Sequence, residues 1–141
     1  MTKRILVPLD GSPQSWTAFE YALAEQTDAA ITLLHVIDPV EGGYAVRPGS
    51  PLAGEKWYQD ARGRATDLFE EAQETADADA DLKTVIEVGR PATTIVEYGR
   101  TDEFDAVVMG SHGRSGVSRI LLGSVAETVV RRSSIPVTVV R

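Results

Sequence analysis

Five short apolar runs alternate with stretches whose apolar residues recur at helical spacing. The runs are Ile5-Leu6-Val7-Pro8-Leu9, Ala30 to Ile37, Thr84 to Val88, Asp105 to Met109 and Val137 to Val140, and each predicts a strand. Between the first two, Trp16, Phe19 and Leu23 fall on one helical face. Ser12 is a good N-cap for that helix, and Pro13 takes the favoured first helical position. Trp57, Ala61, Ala65, Leu68 and Ala72 mark a second amphipathic helix. Pro91 opens a third, which carries Ile95, Val96 and an interior Gly99 expected to weaken it by about 1 kcal/mol. A fourth is expected over Val125 to Arg132. The segment Asp38 to Glu55 holds Pro39, Gly42, Gly43, Pro48, Gly49, Pro51 and Gly54. Such punctuation predicts irregular structure, long for a connection and therefore read as a flap.

Strand and helix thus alternate as βαβαβαβαβ. Strands apolar along their whole length, separated by amphipathic helices, imply a parallel sheet with helices on both faces and right-handed crossovers. Ligands of such sheets bind beyond the C-terminal ends of the strands, where the strand order reverses. Two loops are candidates there: Pro8 to Ser12 after the first strand, and the segment after the fourth. If strands one and four are neighbours, both loops belong to one site.

The segment after the fourth strand carries the chemistry. From Met109 to Val125 it reads MGSHGRSGVSRILLGSV, with Gly110, Gly113 and Gly123 followed by Ser124. A glycine-punctuated loop between a strand and a helix N-terminus suits a phosphate. Glycine lets backbone N–H groups approach an anion, and the helix end adds unpaired donors and partial positive charge. The dinucleotide pattern G-x-G-x-x-G is absent after the first strand, and so is the Walker pattern, which argues against NAD, FAD and P-loop chemistry. The three glycines could serve tight turns, but their placement favours phosphate and ribose contacts. Ser124-Val125-Ala126-Glu127 also reads as a capping box, with Ser124 capping its own helix, and a hydroxyl–phosphate contact competes with that reading. Arg114 and Arg119 either add positive charge beside the phosphates or balance nearby acids in solvent. His112 looks like a general base, yet no serine or cysteine nucleophile with an orienting acid is evident around it. Lining the loop through its backbone is the better reading.

Composition narrows the field. At 141 residues the chain is expected to form one domain over residues 1–141. It has no cysteine, which excludes disulfides, thiol catalysis and thiolate metal sites, and its two histidines are too few for a histidine-rich metal site. The net charge of −7 argues against a nucleic-acid partner. No apolar run approaches the roughly 20 residues of a membrane span, so membrane insertion is not expected. The opening strand is too short for a signal-peptide core, and the expected location is cytoplasmic.

At this point the chain resembles the universal stress proteins, and within them the ATP-binding branch. The resemblance spans the whole chain. It rests on Ile5-Leu6-Val7-Pro8-Leu9-Asp10-Gly11-Ser12, Leu33-Leu34-His35-Val36-Ile37, Gly89-Arg90-Pro91, Val108-Met109-Gly110-Ser111-His112-Gly113, Gly123-Ser124-Val125 and Pro136-Val137-Thr138-Val139-Val140. The family's glycine motif, G-2x-G-9x-G-[ST], is intact. The resemblance implies an α/β, Rossmann-like fold of the adenine nucleotide alpha hydrolase-like type, with five parallel strands ordered 3-2-1-4-5. It implies a homodimer and an ATP, ADP or AMP ligand, with magnesium or manganese riding on the phosphates rather than in a protein cage. Asp10 becomes an adenine or ribose contact. Pro8 and Val36 would offer backbone groups and apolar walls to adenine, and Met109 would pack on base or ribose unless it is a core methionine. Ser12 and Val125 join Gly110, His112, Gly113, Arg114, Gly123 and Ser124 in the implied nucleotide-binding set.

Two function classes remain open: a nucleotide-dependent stress-response sensor acting on a protein partner that the sequence does not identify, and a slow ATP hydrolase or adenylate-using enzyme. Without a placed general base or metal cluster, the sequence favours the sensor. In the 3-2-1-4-5 order Val137 to Val140 lies at the sheet edge, and its unpaired backbone groups invite pairing with a second copy.

Overall fold

The computed structural model describes residues 2–40, 51–100, 103–112 and 122–141, with the backbone alone for 51–53. Gly113 and Arg114, and most of the flap predicted over Asp38 to Glu55, lie outside the described residues. The elements run β1 (Arg4–Pro8), α1 (Pro13–Glu25), β2 (Ala30–Ile37), α2 (Pro51–Thr75), β3 (Asp81–Val88), α3 (Pro91–Gly99), β4 (Ala106–Gly110), α4 (Ser124–Arg132) and β5 (Val137–Val140). The five strands form one sheet in the order β3-β2-β1-β4-β5, every neighbouring pair parallel. The expected order is therefore correct, and β1 and β4 are neighbours with Ile5 opposite Ala106 and Leu6 opposite Val107.

Alternation along the strands builds two cores, one on each face of the sheet. Ile5, Val7, Leu9, Ile31, Leu33 and Val108 face α1 and α2, where Phe19, Ala22, Phe69 and Ala72 meet them. Leu6, Leu34, Val107 and Met109 face α3 and α4, against Ile95, Val96, Ala126 and Val129. Because α1 leaves β1 on one face and α4 leaves β4 on the other, the winding of the sheet reverses between these two parallel strands. In sheets of this kind the crevice at the C-terminal ends of these two strands is where ligands bind.

Three local expectations change. The helix α2 begins at Pro51, so the last five residues of the predicted flap are helical. Proline is tolerated in a first helical turn, where its missing N–H has no partner to lose. The strand β3 starts at Asp81 rather than Thr84, because pairing with β2 extends from Ala30 opposite Asp81 to Ile37 opposite Val88. Gly99 ends α3 instead of weakening its interior; it is buried, and a side-chain carbon there would lie 3.6 Å from Ile135.

Candidate functional site

The turn after β1 is closed by its own side chains. Gly11 has φ +89°, a left-handed conformation that glycine adopts without strain. The Asp10 carboxylate accepts the Ser12 N–H at 2.9 Å, and the Ser12 hydroxyl accepts the Ser15 N–H at 3.1 Å as the N-cap of α1. At 2 % exposure, Ser12 is a buried cap, as its sequence position suggests. The last residues of the β1 chain are pinned to β2: the Leu9 N–H donates to the Leu34 carbonyl at 2.9 Å. His35 Nδ1 donates to the Leu9 carbonyl at 2.8 Å, a direction fixed because a carbonyl can only accept. Sequence reasoning gave His35 no role. Its available signal was a lone polar side chain phased inward with Leu33 and Ile37.

The return from β4 into α4 is built from backbone. The Ser111 N–H donates to Val140 of β5 at 2.8 Å, and the Ser111 carbonyl accepts the Gly123 N–H at 2.8 Å. This second bond brings the start of α4 back to the end of β4. A side-chain carbon on Gly123 would stand 3.2 Å from the Ser111 carbonyl and 3.3 Å from His112 Cα. Gly110 is tighter: a carbon there would lie 2.7–2.8 Å from the Gln14 backbone and Cβ. Gly110 therefore lets β4 approach α1, and it joins the two loops at one point. The capping-box reading of Ser124 is corrected. The N-cap of α4 is Gly123, whose carbonyl accepts the Glu127 N–H at 2.9 Å, and Ser124 is the first helical residue. Closure of Gly123 onto Ser111 sets the helix start one residue earlier than the serine pattern suggests, so the Ser124 hydroxyl does not cap.

A cleft of about 600 Å³ lies between the turn after β1, the end of β2 and α2, and Asp10, Val36, Asp38, Trp57 and Arg64 are among its lining residues. It brings Asp10 and Val36 together, as the binding reading requires, and adds the α2 wall that no motif marked. Pro8 is half-buried at the end of β1. Met109, 4 % exposed, belongs to the core under α3 and α4, and Val125 packs half-buried against the same core. His112 and Ser111 are 7 % and 4 % exposed, and Ser111 Oγ lies 3.1 Å from His112 Nδ1. Sequence reasoning found no serine nucleophile with an orienting acid around this histidine and did not single out the Ser111 side chain, because adjacent residues on an extended chain ordinarily point apart. Among the described residues, no group of three or more His, Asp or Glu side chains is placed to hold a metal. None of the described helices is long and apolar enough to cross a membrane.

These features define a doubly wound parallel α/β domain whose candidate site lies where strand order reverses. The model of the universal stress protein family matches residues 1–141, and the chain belongs to that family. It is 32 % identical over 157 residues to universal stress protein MJ0577 of Methanocaldococcus jannaschii, covering 100 % of this chain and 96 % of that one. The solved structure of MJ0577 superposes with a TM-score of 0.79 over 99 % of this chain and 96 % of that chain. Universal stress protein UspA from Lactobacillus plantarum is 30 % identical, with a TM-score of 0.81 over 99 % and 97 % of the two chains. More distant members share the fold at TM-scores of 0.66: one in complex with cAMP, 23 % identical, and one from Arabidopsis thaliana with AMP bound, 18 % identical.

Proposed function

We propose that this universal stress protein binds ATP, or its products ADP and AMP, at the β1/β4 crevice and acts as a nucleotide-dependent stress-response sensor. One observation carries the reading. The Asp10 turn and the N-terminus of α4 stand at the same edge of the sheet, joined where Gly110 packs on Gln14. Adenine and ribose take the Asp10 and Val36 side, and the phosphates take the α4 side, with Gly113 and Arg114 assigned to them from the motif alone. The first-turn N–H groups of α4 lack intrahelical acceptors and lie at the positive end of the helix dipole, which suits an anion. Magnesium or manganese travels on the phosphates. The nucleotide-bound distant relatives agree with this ligand class, although at their identity the likeness extends to the fold alone.

The slow-hydrolase alternative has a candidate in the Ser111–His112 pair. Both side chains are buried, and no hydrogen bond among the described residues ties His112 to an orienting carboxylate, so the sensor is the better reading. Calorimetry on the purified chain tests it. The expected ATP dissociation constant is about 1 μM. Gly113→Val abolishes binding by putting a side chain where backbone meets phosphate, and unchanged affinity in that variant refutes the site. Turnover of about 1 s⁻¹ or faster would replace the sensor with an enzyme.

The same reading includes a homodimer through β5. Val107 N–H donates to the Pro136 carbonyl and Ser111 N–H to the Val140 carbonyl, so the even-numbered residues of β5 face β4. Alternation then turns the backbone groups of Val137 and Val139 outward, off the sheet edge. Antiparallel pairing with the same strand of a second copy satisfies both edges across a two-fold axis. Val139→Pro removes an outward donor without disturbing the β4 ladder, and light scattering should then find monomers.

A further inference from the structure

Among the described residues, His112 Nε2 is a buried side-chain polar atom without a hydrogen-bond partner. Its surroundings determine what it can do. The Ser111 backbone is fully engaged, its N–H with Val140 and its carbonyl with Gly123. The Ser111 hydroxyl, 4 % exposed, has His112 Nδ1 within reach at 3.1 Å. A hydroxyl always carries a hydrogen. That hydroxyl can donate to Nδ1 or accept from it; where it donates, Nδ1 is the unprotonated ring nitrogen and the ring hydrogen sits on Nε2. The ring edge bearing Nε2 turns towards the start of α4, since His112 Cδ2, bonded to Nε2, lies 3.5 Å from where a side-chain carbon of Gly123 would stand. A buried ring nitrogen therefore sits without a hydrogen-bond partner among the described residues, beside a helix N-terminus whose own first-turn N–H groups lack intrahelical acceptors.

We propose that His112 Nε2–H is a direct phosphate donor of the nucleotide site, held in the donating tautomer by the Ser111 hydroxyl, and that it makes the site select phosphorylated nucleotides over nucleosides. This rests on the nucleotide reading above and gives the imidazole a role distinct from its backbone. Ser111 is a positioning residue, acting through His112. A phosphate oxygen accepts the hydrogen bond that the protein leaves open, and a charged acceptor makes that bond stronger than a neutral one would. Adenosine, which presents no phosphate, gains nothing from it.

The test is calorimetry with magnesium ATP and with adenosine, on the unaltered chain and on His112→Ala, His112→Gln and Ser111→Ala. His112→Ala should weaken ATP binding about tenfold or more and leave adenosine binding unchanged within about twofold, as expected for one lost hydrogen bond to a charged group. His112→Gln, which keeps an N–H near the Nε2 position, should recover most of the loss. Ser111→Ala should fall between them, because the ring no longer holds one tautomer. Nitrogen-15 spectra of the unaltered chain give a second readout: the ligand-free imidazole should be the Nε2–H form, and ATP should shift that nitrogen more than Nδ1. Should His112→Ala fail to fold, these spectra decide, and an Nε2 resonance unmoved by ATP overturns the proposal. Equal losses for ATP and adenosine, or an Nδ1–H tautomer, also overturn it. If the unaltered chain binds no ATP, the nucleotide reading falls and this proposal with it. If it binds ATP and His112→Ala binds equally well, only this proposal falls.

Discussion

The turn after β1 and the return into α4 lie at the same edge of the sheet and both deliver the chain into a helix, yet they treat their polar groups differently. In the first, Asp10 accepts from Ser12, Ser12 accepts from Ser15, and the Leu9 backbone is bonded at both its N–H and its carbonyl. In the second, backbone bonds from Ser111 to Val140 and Gly123 fix the position. The cap is a glycine without a side chain, Ser124 does not cap, and His112 Nε2 has no hydrogen-bond partner among the described residues. One loop is complete as folded, and the other leaves donors available. A ligand gains most where polar groups are already desolvated and still unpaired, because the cost of burying them has been met in folding. On the nucleotide reading proposed above, anion recognition falls to the α4 side, and the β1 side offers a shape and a carboxylate.

The largest effect is expected where the two loops join. Gly110→Ala puts a carbon within 2.7 Å of the Gln14 backbone, so β4 and α1 must separate. A loss of about 2–3 kcal/mol in urea denaturation is expected, because the clash is with backbone rather than a flexible side chain. A neutral result would mean that the loops are not held together there.

A matched pair of serines sharpens the contrast. Ser12→Ala removes the α1 cap and should cost about 1 kcal/mol of stability. Ser124→Ala should leave stability unchanged within about 0.5 kcal/mol but weaken ATP binding several-fold. Denaturation and calorimetry on both variants check this, and exchanged outcomes would reverse the assignment of the two loops.

The smallest effect is a control away from the crevice. Burial, then Glu103 and Glu87, raise the Tyr98 hydroxyl above its ordinary value of 10.0. The native chain therefore keeps a proton that the unfolded chain loses, so this contribution is intact below pH 10.0 and declines as pH rises further. Tyr98→Phe should remove that decline in alkaline denaturation profiles and leave the crevice untouched.

Much of the fold was legible in the chain. The period of apolar residues marked each strand and helix, because alternation and helical spacing are local properties that survive without knowledge of neighbours. Boundaries failed where pairing or closure decided them. The strand β3 lengthened along β2, α2 started inside the punctuated segment at Pro51, and the α4 cap moved from Ser124 to Gly123. The candidate site divided in the same way. Asp10, Val36 and the Gly123–Ser124 pair carried motif signals, whereas the His35 bond to Leu9 and the α2 wall of the cleft did not.

By itself, then, the sequence determined the order of elements, the absence of cysteine chemistry and the family motif, since each depends on residue identity and spacing along the chain. Only the tertiary structure decided that Gly110 meets Gln14, that Ser111 Oγ lies beside the His112 ring, and that a buried nitrogen of that ring has no partner among the described residues. These are distances between side chains and backbone set by sheet register and helix approach. Residues 96 positions apart, such as Gln14 and Gly110, carry no local pattern that could announce their contact.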